Sequence, residues 1–76
     1  MKELLTYIAQ NLVDHPEQVE VNEYQGEGET TLELRVASED MGKVIGRQGR
    51  IAKWIRVLMR SAGQKKGLRV SVDISD

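Results

Sequence analysis

At 76 residues the chain has room for one apolar core and lies near the size at which unaided folding becomes marginal, so residues 1–76 are read as a single domain. No cysteine is present, which excludes a disulfide framework and a thiolate metal centre, and no apolar run approaches the length of a signal-peptide core or a membrane span. The formal charge of -1 conceals a division: residues 1–40 carry two basic side chains against ten acidic ones and stand at -8, while residues 41–76 carry nine against two and stand at +7.

In chain order, Leu4, Leu5, Ile8 and Leu12 recur at helical spacing up to "DHP", where Pro16 disfavours helix for His15, and the first helix is expected over about residues 2–14. "VEV" at 19–21 alternates, "QGEGE" supplies two glycines for a reversal, and "TLELRV" alternates again with Leu32, Leu34 and Val36 on one side. This predicts a hairpin whose second strand turns Thr31, Glu33 and Arg35 to the opposite, wet face.

Ser38 and Asp40 are both plausible helix caps, and "MGKVI" is long enough for one or two helical turns before Gly46, although Gly42 inside it costs about 1 kcal/mol relative to alanine. The next helix begins beyond Gly49. From Arg50 to Ala62, a step of about 100° per residue puts Ile51, Ile55, Leu58, Met59 and Ala62 in one arc with Trp54 at its margin, and gathers Arg50, Lys53, Arg56 and Arg60 opposite, interrupted only by Val57. Gly63 is suited to end this helix, "QKKG" to turn the chain, and Leu68, Val70, Val72 and Ile74 to alternate through a last strand. The expected class is α+β in the order α-β-β-α-α-β. Pairing rules give a three-stranded mixed sheet with the second strand central, antiparallel to the first and parallel to the third, and all three helices on its apolar face.

Chemistry concentrates between Met41 and Val72, where no Asp or Glu occurs. Two helices joined by "GRQG", Gly46 to Gly49, would leave the second with free backbone N–H groups and a positive dipole end facing the loop. Phosphate suits such an end: glycine at both edges admits a sugar-phosphate backbone, and Arg47, Gln48 and Arg50 offer donors around it. "VIGRQGRIAKWI", an aliphatic pair, Gly-x-x-Gly, a basic residue and an aliphatic one, resembles the signature of the KH domain, and the element order resembles its type II arrangement over the whole chain. Among KH proteins the chain is similar to the small bacterial single-KH proteins. The resemblance implies binding of about four single-stranded RNA nucleotides, with Gly46, Arg47, Gln48 and Gly49 as the clamp and Val44, Ile45 and Ile51 as an aliphatic groove under the bases. It also implies pairing, either with a second copy or with a larger KH protein of the Jag type, and a cytoplasmic RNA chaperone or post-transcriptional regulator.

Lys43, Arg50 and Lys53 complete the expected contact surface, while Arg56, Arg60, Lys65 and Lys66 are read as general field. Trp54 is read first as a core-packing residue, with base stacking or a pairing surface as the alternatives and pairing preferred over stacking. The acidic half reads as a solvated face that gives solubility, with repulsion of nucleic acid or attraction of a basic partner as its functional versions. His15 stands alone, with no second ligand at metal-binding spacing. Catalysis is not expected: "GKVIGRQGR" is neither a Walker loop nor a dinucleotide fingerprint, no nucleophile–base constellation exists, and no cofactor or small-molecule substrate is implied. Two alternatives remain, a helix-turn-helix reader of duplex DNA using the Arg50–Ala62 helix, and a protein-interaction module driven by the two charged halves.

Overall fold

The computed structural model describes all residues from Met1 to Asp76. Helix α1 spans Lys2–Gln10, strands β1 and β2 span Glu20–Gly26 and Glu29–Arg35, helices α2 and α3 span Met41–Ile45 and Arg50–Gln64, and β3 spans Val70–Ser75. The sheet order is β1-β2-β3, with β2 antiparallel to β1 and parallel to β3. Leu32 and Leu34 of β2 sit in register with Val72 and Ile74. This is the type II KH architecture that the sequence resemblance implies.

Alternation along the strands sends Val21, Leu32, Leu34, Val70 and Val72 to one face, where they join Leu5 and Ala9 of α1, Val44 of α2, and Ile55 and Met59 of α3 in a single apolar cluster. All three helices therefore cover the same face. Leu5, Leu32, Leu34, Ile55 and Met59 are fully buried, each worth on the order of 1.5–3 kcal/mol of apolar transfer. The other face carries polar partners, among them the Thr31 and Ser71 hydroxyls 3.3 Å apart. No helix is long and apolar enough to cross a membrane.

Four boundaries differ from the periodicity, each for an identifiable reason. Helix α1 stops at Gln10 and not near residue 14. The Asn11 amide nitrogen donates to the Tyr7 carbonyl at 2.8 Å, and the backbone N–H groups of Asp14 and His15 are taken by the Asp40 carboxylate at 3.2 and 3.0 Å. Asp40 holds the N-cap position of α2 without capping it: it is wholly buried, its side chain makes no capping bond to α2, and it fastens the end of the α1 segment to the β2–α2 corner. Strand β1 runs on to Gly26, leaving Glu27 and Gly28, the latter at φ +68°, as a two-residue turn. Here cross-strand polar contacts replace apolar alternation, since the Asn22 amide and the Tyr24 hydroxyl both donate to Glu33 Oε1 at 3.3 Å.

At the far end, Gly63 does not terminate α3. A Cβ on Gly63 would lie 2.5 Å from Val70 Cγ2 and 3.1 Å from the Leu68 carbonyl, so this glycine lets the helix sit directly on β3. Gly67, at φ +71°, closes the helix instead. Its N–H donates to the Gln64 carbonyl at 3.1 Å, and the Leu68 N–H donates to the Gly63 carbonyl at 2.8 Å, a Schellman pair that holds Leu68 out of β3. The buried line of α3 is accordingly Ala52, Ile55, Met59 and Gly63, with Ile51, Leu58 and Ala62 half-buried beside it. Gly63 draws that line toward β3, a shift that side-chain hydrophobicity alone does not register.

Candidate nucleic-acid interface

Gly46 to Gly49 joins α2 to α3 through three residues at positive φ, Gly46, Gln48 and Gly49. Gly46 adopts φ 76°, ψ 176°, a region essentially reserved for glycine, and a Cβ there would lie 2.6 Å from Ile51 Cγ1. Its missing side chain faces the protein, not a ligand, and lets the loop close over Ile51. Gln48 is the chain's one non-glycine residue at positive φ, at 57° with ψ 25°. Gly49 follows at φ 74°, ψ 15°, and nothing lies within 4 Å of where its Cβ would be. Of the two glycines, Gly49 is the one that presents bare backbone to the outside.

Helix α3 begins at this loop with no side-chain cap and no acidic residue in its first turn. The expectation of entirely free N–H groups is corrected in one respect: the Gly49 N–H donates to the Gly46 carbonyl at 3.1 Å and the Arg50 N–H to the Arg47 carbonyl. The loop's own turn consumes these donors. What remains is the positive end of a 15-residue helix, worth about half an elementary charge, beside exposed Arg47, Gln48 and Arg50. Arg50 Nη2 donates to Gln48 Oε1 at 3.3 Å, holding those two side chains together.

The remaining site residues separate into groups. Lys53 is exposed one turn along α3. Lys43 is exposed too, but its Nζ lies 3.3 Å from Asp14 Oδ2, and it is the chain's only lysine or arginine in an ion pair. Ile45 is 37% exposed and Ile51 is half-buried beneath Gly46, so both border the loop. Val44 is fully buried among the core side chains, which removes it from any contact surface and makes it the anchor of α2.

Two contacts escaped the sequence reading. Arg56, assigned there to general field, donates through Nε to the Val72 carbonyl at 3.2 Å and so pins the flank of α3 to β3. Its place on the helical wheel between Lys53 and the small residues Ala52 and Gly63 was the available signal. His15, read as an isolated loop residue, places Nδ1 3.6 Å from Glu17 Oε2 and Nε2 3.6 Å from Glu39 Oε2. No group of three His, Cys, Asp or Glu side chains is arranged to hold a metal ion. Trp54 and Val57, one turn apart on the outer face of α3, are 51% and 49% exposed, which corrects the core-packing option for the tryptophan.

Comparison with known proteins covers nearly the whole chain. The family model described as KhpA/KhpB, KH domain, matches residues 2–74. The RNA-binding protein KhpA of Clostridium acetobutylicum is 57% identical over 74 residues, 97% of this chain and 99% of the relative. The proteins of the same name from Chlamydia pneumoniae and Treponema pallidum are 47% identical over 76 residues and 48% over 75, covering 100% and 99% of this chain and 97% and 94% of those relatives. No solved structure matches. With a type II KH fold, a Gly-x-x-Gly turn between its paired helices and a family match across almost every residue, the chain belongs to the KhpA/KhpB KH-domain family.

Proposed function

We propose that this protein binds single-stranded RNA without catalysing a reaction, and that the Gly46–Gly49 turn is its phosphate clamp. The observation that carries the reading is the start of α3: an uncapped helix end with open space over Gly49, flanked by exposed and unpaired Arg47 and Arg50. Relatives similar over their whole length are named RNA-binding proteins, which supports the same ligand here. Phosphate oxygens approach Gly49 and the two guanidiniums, Gln48 donates from its strained left-handed position, Lys53 adds charge, and Ile45 and Ile51 offer apolar surface to bases. Lys43 joins only by leaving Asp14.

Few aromatic side chains are available for stacking, so a single copy holds RNA weakly and pairing raises avidity through effective concentration. Trp54 and Val57 are the surface this reading gives to pairing, with a second copy or a larger KH protein of the Jag type. A weak, salt-sensitive grip of this kind suits an RNA chaperone or post-transcriptional regulator. Duplex DNA reading is disfavoured because α2, at five residues, is too short to brace a recognition helix and α3 is backed by a sheet.

The test is Arg47→Asp with Gln48→Asp, which places two carboxylates where phosphates sit. Aspartate tolerates the left-handed backbone of position 48, and neither side chain is in the core. A folded protein with little RNA binding is expected; crosslinking to RNA at the parent's level would refute the clamp.

A further inference from the structure

Resting on the RNA-binding reading above, we propose that Asp14 is an intrachain stand-in for phosphate: it occupies Lys43, the cation of α2 beside the clamp, and thereby sets how tightly the protein holds RNA. The acidic and basic halves of the chain meet through a single lysine or arginine ion pair, Lys43 Nζ to Asp14 Oδ2 at 3.3 Å. Lys43 lies in the last turn of α2, and the Gly46 N–H closes that turn on the Gly42 carbonyl at 2.9 Å. The paired lysine therefore stands three residues, about 4.5 Å of axial rise, before the first glycine of the clamp. No carboxylate occurs between Met41 and Val72, so a competitor for this cation has to arrive from the acidic half.

Main-chain bonds build this pair. Asp40, wholly buried at the N-cap position of α2, accepts the Asp14 N–H on Oδ1 at 3.2 Å and the His15 N–H on Oδ2 at 3.0 Å. Those two bonds hold residue 14 against the same short helix that carries Lys43, three residues after Asp40. Asp14 is thus placed before any charge is counted, and less ordering is left for the ion pair itself to cost. The pair remains open to water, with the Lys43 and Asp14 side chains 46% and 69% exposed, so it adds little to stability and leaves the ammonium within reach of another anion. A lysine ammonium is a point charge on a flexible stem, and it serves a carboxylate or a phosphate equally well. While Asp14 holds it, RNA is gripped by Arg47, Arg50 and Lys53 alone; once Asp14 is neutralised, Lys43 adds a phosphate contact at the edge of the clamp.

The experiment measures equilibrium binding of a ribooligonucleotide of about six nucleotides across a salt series for the parent, Asp14→Asn, Lys43→Gln and the double variant. Asparagine at this exposed position keeps the backbone N–H that Asp40 accepts, and circular dichroism checks the fold. Asp14→Asn is expected to tighten binding about fourfold at roughly 50 mM salt, within what release of an exposed ion pair supplies. One added phosphate contact steepens the slope of log K against log salt by about 0.7, so the gain shrinks to about 1.5-fold at roughly 200 mM. The same substitution made on top of Lys43→Gln gives neither the gain nor the steeper slope. No gain in Asp14→Asn, a slope equal to the parent's, or an equal gain with Lys43 already replaced overturns the proposal, the last because Asp14 then only repels RNA through space. The clamp is judged separately by Arg47→Asp with Gln48→Asp. Retained binding by that variant, or no binding by the parent, sinks the functional reading and this inference with it. A clamp variant that loses RNA beside an unresponsive Asp14→Asn removes the inference alone.

Discussion

Replacing Gly46 with alanine probes the physical basis of the loop more sharply than any change of charge. Two independent costs arise: alanine at φ 76°, ψ 176° occupies backbone space that only glycine uses freely, about 1–3 kcal/mol, and its Cβ comes within 2.6 Å of Ile51 Cγ1 and 2.9 Å of Ile51 Cβ, an overpacking cost of about 1–3 kcal/mol. The sum centres near 4 kcal/mol, a large share of the roughly 4–11 kcal/mol available to a chain of this size. Gly49→Ala meets open space and bears only the left-handed penalty of about 1–2 kcal/mol. Urea titrations of the two variants are expected to differ by about 2.5 kcal/mol between the centres of these ranges, with Gly46→Ala the less stable. Ile51→Ala removes the closest contact but leaves Cβ, so the Gly46→Ala, Ile51→Ala double variant is about 1–2 kcal/mol more stable than the two single losses predict. Equal destabilisation at the two glycines, or strictly additive losses in the cycle, would refute the argument that Gly46 serves close packing and Gly49 serves exposure.

Asp40→Ala strips the acceptor from the Asp14 and His15 N–H groups and is expected to cost about 3 kcal/mol in chemical denaturation, with Asp40→Asn, which keeps one acceptor, losing less. Beside the Glu33 carboxylate, to which its hydroxyl donates, Tyr24 titrates above the ordinary tyrosine value, the neighbouring negative charge being the main cause. A phenolate forming next to a carboxylate is disfavoured, so Glu33→Gln moves the Tyr24 titration to lower pH, as followed by tyrosinate absorbance. On the proposed pairing through α3, the parent self-associates in sedimentation, whereas Trp54→Ala with Val57→Asp, both side chains being about half exposed, keeps the monomer's secondary structure and sediments as a monomer; a parent that is itself monomeric refutes the pairing. A variant that self-associates as the parent does would place pairing elsewhere.

Periodicity made the individual strands, the sheet's two faces and the helix–loop–helix legible because each rests on spacing within one segment, and pairing rules then gave the strand order. What it missed lies in contacts between segments. Asp40 stands where a cap belongs, and only the fold reveals that residues 14 and 15 arrive beside it. Gly63 and Gly67 are interchangeable as helix terminators in the sequence, and the choice is made by Val70, which leaves no room for a side chain at 63. At the site, Gly46, Arg47, Gln48, Gly49 and Arg50 occupy the turn that their pattern implies, yet Val44 is buried and Lys43 is paired with Asp14. An aliphatic pair before a turn does not state which member faces inward; the packing of α2 does, with Val44 fully buried and Ile45 left at the surface.

On the proposed function, three flanks of α3 carry three tasks, and their adjacency couples them. The line from Ala52 to Gly63 holds the sheet, the flank from Lys53 to Gln64 is cationic, and Trp54 and Val57 occupy the outer face between that flank and the side of α3 that meets α2. Two copies joined through their outer faces would bring two cationic flanks close together with no acidic residue from α3 between them. Their mutual repulsion weakens such a pair at low salt, whereas a strand of RNA lying across both flanks neutralises the repulsion and gains avidity from both clamps. On this geometry RNA and pairing are linked with positive sign: oligonucleotides long enough to reach both copies shift the equilibrium toward the pair, and short ones held by a single clamp relieve the repulsion only in part.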